Sequence, residues 1–137
     1  MASMIVVVFA VMVATAHALT CFENDPEGNV REVTNSTYKY CALVPATQTN
    51  RGRLFGITAG ADNVAEYDHT FRMSDAYYNI LTVCILEQYN FGMVYGSEYK
   101  ERMFRCVCNF DRCNSHTTFN AYLSTVRGGD SNQDNLL

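Results

Sequence analysis

Cys106-Val107-Cys108-Asn109-Phe110-Asp111-Arg112-Cys113-Asn114 places three cysteines within eight residues and closes on Cys-Asn. Such a cluster reads as the knot of a small disulfide-stapled extracellular domain. On an extended strand Cys106 and Cys108 point to the same face about two residue rises apart, so a bridge between them would strain the backbone. Each therefore needs a different partner. Working outward, the remaining cysteines are Cys21, Cys41 and Cys84. An even set of six is a disulfide framework by default, although fifteen pairings are formally open to it. Cys108 and Cys113 enclose a short loop that closes easily, which leaves Cys106 to meet Cys84 across a hairpin and Cys21 to meet Cys41. Bridges over loops of these lengths each contribute roughly 2 to 3.5 kcal/mol in the chain-entropy account.

The framework agrees with the compartment that the N-terminus implies. Residues 1–18, MASMIVVVFAVMVATAHA, carry an apolar run from Ile5 to Val13 and then small residues, with Ala16 and Ala18 placed as an A-x-A cleavage signal. The run is shorter than the roughly 20 apolar residues of a membrane span and is broken by Thr15 and His17. A cleaved signal peptide is the expectation, with about 119 residues following it. The C-terminal GGDSNQDNLL lacks the hydrophobic tail of about 10 to 20 residues that a glycolipid anchor needs. A released, soluble protein with no membrane anchor is expected. In that setting Asn35-Ser36-Thr37 is a candidate glycosylation sequon at Asn35.

That length suits one small domain. The net charge of -4 comes from 10 Lys and Arg against 14 Asp and Glu, with the signs mixed along the chain. Nucleic acid and strongly anionic membranes call for a concentrated basic face, so both are excluded as expected partners.

Leu19 to Asn24 reads as a strand, Asp25-Pro26-Glu27-Gly28-Asn29 as its turn, and Val30 to Val44 as the returning strand of a first hairpin. Arg53 to Thr58, a turn at Ala59 to Asn63 and a return near Glu66 to Arg72 form an expected second hairpin. Residues 75–89 fit two periodicities. Tyr77, Ile80, Leu81, Cys84, Ile85 and Gln88 follow helical spacing, but the β-branched Ile80, Thr82, Val83 and Ile85 favour a strand pairing with Tyr99 to Cys108, and the strand reading is taken. Phe119, Tyr122, Leu123 and Val126 recur at helical spacing before Gly128-Gly129, which predicts a short amphipathic helix over about 117–127 and then a disordered tail. Docked on the sheet, that stripe is core; exposed, it would be a self-association surface.

Three hairpins hung from a cysteine knot and closed by C-x4-C-N resemble the three-finger superfamily of urokinase-receptor-like proteins, activin-type receptor ectodomains and snake neurotoxins. The likeness covers Leu19 to Ser115 and is concentrated at its end, where Asn114 matches the family asparagine that ties the knot's termini together and Asp111 the acidic residue common there. Val107 separates a cysteine pair that the family usually has adjacent, and one whole family bridge is missing, so no thiol is orphaned. The resemblance implies a small, mainly β, disulfide-rich domain over 19–115, a C-terminal extension over 116–137, and function at finger tips and exposed strand faces. In the second hairpin those positions are Arg51, Arg53 and Phe55 before the turn and Asp62 and Asn63 at it, and arginine and aromatic residues are what interface hot spots favour.

Enzyme chemistry has little to draw on. The chain beyond the signal holds two histidines, His69 and His116. Cys106, Cys108, Cys113 and His116 superficially resemble a zinc set, but disulfides compete for those thiols in an oxidising compartment. No phosphate loop, paired-carboxylate motif or zincin helix is present, and no cofactor is implied. The expected function is a secreted, non-enzymatic ligand or modulator of a cell-surface receptor or ion channel. The alternatives are a structural or self-associating carrier protein, and a small secreted zinc-binding protein or hydrolase.

Overall fold

Alternating β-branched and aromatic residues build six strands in the computed structural model, which describes residues 18–90, 92, 96 and 100–130. In chain order these are β1 (Leu19–Asn24), β2 (Val30–Asn35), β3 (Tyr38–Val44), β4 (Arg53–Thr58), β5 (Val83–Asn90) and β6 (Lys100–Cys108). Helix α1 (Val64–Phe71) lies between β4 and β5, and α2 (Phe119–Asp130) follows β6. β1 and β2 form a two-stranded sheet, and the other four form an antiparallel sheet in the order β4-β3-β6-β5. The bridges are Cys21–Cys41, Cys84–Cys106 and Cys108–Cys113, the pairing that the cysteine spacing predicts. Nearly all of the segment 1–18 expected to be a signal peptide, the tail from residue 131 and most of the turn at 90–97 lie outside the described residues.

Three sequence expectations are corrected. The strand read from Val30 to Val44 is cut in two at Ser36-Thr37, where Asn35 Oδ1 accepts hydrogen bonds from the Thr37 N–H and hydroxyl, both at 2.9 Å. That side-chain turn lets the chain leave β1 and pair elsewhere. The return of the second hairpin near Glu66 to Arg72 is helix α1, not a strand. Its buried residues, Val64 and Tyr67, lie one turn apart on one side, and β4 pairs with β3 instead. The strand expected over 75–89 begins only at Val83. Before it, the Asp75 carboxylate accepts from the N–H groups of Tyr77 and Tyr78, and Ser74 Oγ accepts from that of Ile80, so the backbone is satisfied without a ladder.

Helix α2 also runs past the Gly128-Gly129 stop, to Asp130. Gly129 is held against the ring of Phe110, where an added Cβ would sit 2.4 Å from a ring carbon. The helix is docked. Tyr122 and Val126 are buried in the core with Cys21, Cys41, Leu43, Leu54, Cys106, Cys108 and Cys113, and Phe119 and Leu123 pack against them. The stripe that self-association would use is thus spent within the chain.

Strand register sorts side chains onto two sheet faces. Cys41, Leu43, Leu54, Cys106 and Cys108 point toward α2. Tyr40, Ala42, Ile57 and Val107 point the other way, where Val64 and Tyr67 of α1 cover them. Because the strand period is two, Val44, Arg53, Phe55, Glu87, Tyr89, Met103 and Arg105 belong to that second face as well.

The two sheets join through side chains rather than a ladder. Asn24 Oδ1 accepts from Leu54 N–H at 2.8 Å and its Nδ2 donates to Gly52 O at 3.1 Å. Glu23 accepts from Gly56 N–H and from the hydroxyl of Tyr38, whose ring occupies the space that a Cβ on Gly56 would fill. The free edge of β4 is thereby satisfied by two residues of β1, a protection that exposed edges require.

Candidate functional site

Helix α1 covers only part of its sheet face. Beyond it the same face continues as an open cleft of about 770 Å³, floored by Val44, Arg53, Phe55, Tyr89, Met103 and Arg105. One wall is the β1–β2 turn, Asn24 to Gly28; the other is the β3–β4 loop, Thr49 to Gly52. All three hairpins, β1–β2, β3–β4 and β5–β6, therefore contribute to one concavity, of a size usual for ligand sites.

Local chemistry fixes both walls. In the turn, the Asp25 carboxylate accepts from the Asn29 N–H at 2.8 Å and from its Nδ2 at 2.9 Å, and Gly28 takes a left-handed φ of 94°. Those bonds to Asn29 hold the Asp25 carboxyl below its ordinary range, so it is ionised and already engaged. In the loop, Thr47 Oγ1 accepts from Asn50 N–H and Asn50 Oδ1 accepts from Gly52 N–H. Gly52 has φ 82°, and a Cβ there would lie 2.8 Å from the backbone nitrogen of Ala46. The two walls are linked by Arg51, whose Nη1 donates to the carbonyl of Glu27 at 3.2 Å.

The lining carries three arginines and one carboxylate, an excess of positive charge in a chain that is negative overall. Arg105 is tied to Glu87 at 2.5 Å, and its guanidinium lies over the ring of Tyr67, 5.9 Å from the centroid. Arg53 stacks over Phe55 at 5.0 Å. Among the described residues, ion pairs join Arg31 to Glu23, Lys39 to Asp68, Arg105 to Glu87 and Arg112 to Glu32. Arg51 and Arg53, both exposed, belong to none of them. Among the described residues, Tyr67 Oη and Arg105 Nε are buried side-chain atoms without a hydrogen-bond partner. Burial raises the Tyr67 hydroxyl above its ordinary pKa, and the nearby Arg105 charge opposes that shift.

The structure thus brings Arg51, Arg53 and Phe55 together at one end of β4. Asp62 and Asn63 follow its opposite end, where they precede α1 as exposed residues, with Asn63 at the N-cap. Asn24, Tyr89, Met103 and Arg105 were not singled out in the sequence. Tyr89, Met103 and Arg105 share a face by strand parity, but only the β5–β6 register shows which face and what it meets. Asn114 is fully buried and bonded to the backbone of β1 and β3.

His69 and His116 are exposed, and all six cysteines are bridged, including the three of the zinc-like set. Among the described residues no group of three His, Cys, Asp or Glu side chains is placed to hold a metal ion. No helix of the described residues is long and apolar enough to cross a membrane. No curated protein and no solved structure matches the chain. The sequence model of a family of unknown function (DUF5354) matches residues 8–127, and the chain belongs to that family.

Proposed function

We propose that this is a secreted, non-enzymatic binding protein of three-finger type that acts as a ligand or modulator of a cell-surface receptor or ion channel. Support for the three-finger reading comes from three antiparallel hairpins that leave one bridged base, with the last strand returning beside β3, and from an asparagine after the final cysteine bonded into that base. The apolar N-terminal segment and the full set of disulfides support secretion. The exposed Ser36-Thr37 turn supports a glycan at Asn35.

One observation carries the function: the cleft joins all three hairpins and presents Arg51 and Arg53 beside Phe55, with no carboxylate of the described residues paired to them. Arginine beside an aromatic ring is the composition of interface hot spots. The test is saturable binding of labelled, glycosylated protein to the surface of cells from the producing organism. The Arg51→Glu/Arg53→Glu variant is expected to bind at least tenfold more weakly at an unchanged melting temperature. Equal binding by that variant would remove the site.

A further inference from the structure

Resting on the binding-protein reading, we infer that the cleft takes an acidic, extended peptide segment of the partner, with carboxylates on Arg51 and Arg53 and an apolar side chain against Phe55 and Met103.

Charge is the first reason. The cationic groups of the lining are all arginine, whose planar fork matches a carboxylate in two parallel bonds, whereas a lysine would act as a point charge. Arg105 has part of its fork engaged by Glu87, and the lining carboxylate, Asp25, is engaged by Asn29. Among the described residues no carboxylate pairs with Arg51 or Arg53, and an anionic occupant would neutralise them.

Shape and polarity are the second. Between the arginines the floor is apolar and aromatic, made by Val44, Phe55, Met103 and Tyr89. A simple inorganic anion would leave that surface uncovered, and a purely apolar ligand would bury two guanidiniums without an anionic partner. An extended peptide can offer both kinds of group on the one side that faces the floor, at every second residue. Four strands underlie the floor, about 14 Å at the usual strand spacing, which is the length of about four extended residues.

The experiment is fluorescence anisotropy with two capped, labelled pentapeptides, EEFEE and QQFQQ, on the intact oxidised protein at low ionic strength. EEFEE is expected to bind saturably with a Kd on the order of 10 to 100 µM, and QQFQQ at least tenfold more weakly. Raising the salt to about 0.5 M should abolish EEFEE binding, as screening of exposed charges requires. Arg51→Glu/Arg53→Glu should reduce it at least tenfold, and the milder Arg53→Gln by less. Equal affinity for the two peptides, EEFEE binding unaffected by the double variant, or no saturable binding would each overturn the inference. If EEFEE fails while cell-surface binding remains dependent on Arg51 and Arg53, only the acidic-peptide assignment is lost. Failure of both assays removes the functional reading as well.

Discussion

The side-chain amide of Asn114 pairs with the backbone of Phe22 as one strand pairs with the next: its Oδ1 accepts from the Phe22 N–H at 2.9 Å and its Nδ2 donates to the Phe22 carbonyl at 3.0 Å. The same Nδ2 reaches Ala42 O at 2.9 Å, so one fully buried side chain ties β1 and β3 to the segment after Cys113. Asn114→Ala would leave buried backbone groups without partners and is expected to cost roughly 2 to 4 kcal/mol in urea unfolding. Asn114→Asp should cost at least as much, because it replaces a donor facing two carbonyls with an acceptor. A loss below about 0.5 kcal/mol in both variants would show that the tie contributes little.

Bridges with sequence separations of 20, 22 and 5 residues restrict the unfolded chain substantially. Together they contribute roughly 9 kcal/mol in the chain-entropy account, comparable with the whole stability of a small domain. Reduction at neutral pH is expected to abolish near-ultraviolet circular dichroism and native-like chemical-shift dispersion. Retention of both by the reduced protein would place the stability in the apolar core.

Two adjacent glycines in α2 should respond in opposite directions. Gly128 has open space where a Cβ would go, so Gly128→Ala is expected to gain roughly 0.5 to 1 kcal/mol from helix propensity. At Gly129 the same methyl meets two carbons of the Phe110 ring at 2.4 and 2.5 Å, and Gly129→Ala is expected to lose roughly 1 to 3 kcal/mol. Paired thermal melts check the contrast. Equal shifts in the two variants would mean that α2 does not rest on Phe110.

Burial pushes the Tyr122 hydroxyl up to about 12, and burial followed by its bond to Asp68 raises that of Tyr40 further. A phenol whose folded pKa lies above its unfolded value of about 10 stabilises the fold fully below pH 10, and that contribution is lost as the pH rises toward 12. Stability should therefore fall between those values, and a tyrosinate absorbance titration should show Tyr40 and Tyr122 ionising well above the ordinary phenol range. Asp68 has the opposite sign. Its pKa is lowered, first by the bond from Lys39 and then by that from Tyr40, so its contribution is present above 3.8 and is lost as the pH falls below it. Ionisation of Tyr40 and Tyr122 near pH 10 in the native protein would contradict the packing of α1 and α2.

The hydroxyl of Tyr67 is buried and has no hydrogen-bond partner among the described residues, so Tyr67→Phe removes an uncompensated polar atom. The expected result is neutral to stabilising, by up to about 1 to 2 kcal/mol. A loss greater than about 1 kcal/mol on urea unfolding would show that the hydroxyl is satisfied in solution.

Much of the scaffold was legible residue by residue. Cysteine pairing followed from strand geometry and loop length, which depend on positions along the chain, and α2 followed from Phe119, Tyr122, Leu123 and Val126. Helix α1 carried a comparable signal in Val64, Tyr67 and Phe71, but Tyr67, His69 and Phe71 also alternate, and over eight residues the two periods compete.

Local chemistry in the sequence determined the cysteine bridges, the strand-forming segments and the α2 stripe, because each depends on neighbours within a turn, a strand or a short loop. Which strand pairs with which was decided only in three dimensions. Once Asn35 breaks the long strand, β3 joins β4 and β6 instead of extending the first hairpin, and β1 meets β4 through the side chains of Glu23 and Asn24. Those long-range pairings bring Arg51, Arg53, Phe55, Met103 and Arg105 around one cleft. Residues from three separate parts of the chain meet there through backbone register and burial, which no local periodicity encodes.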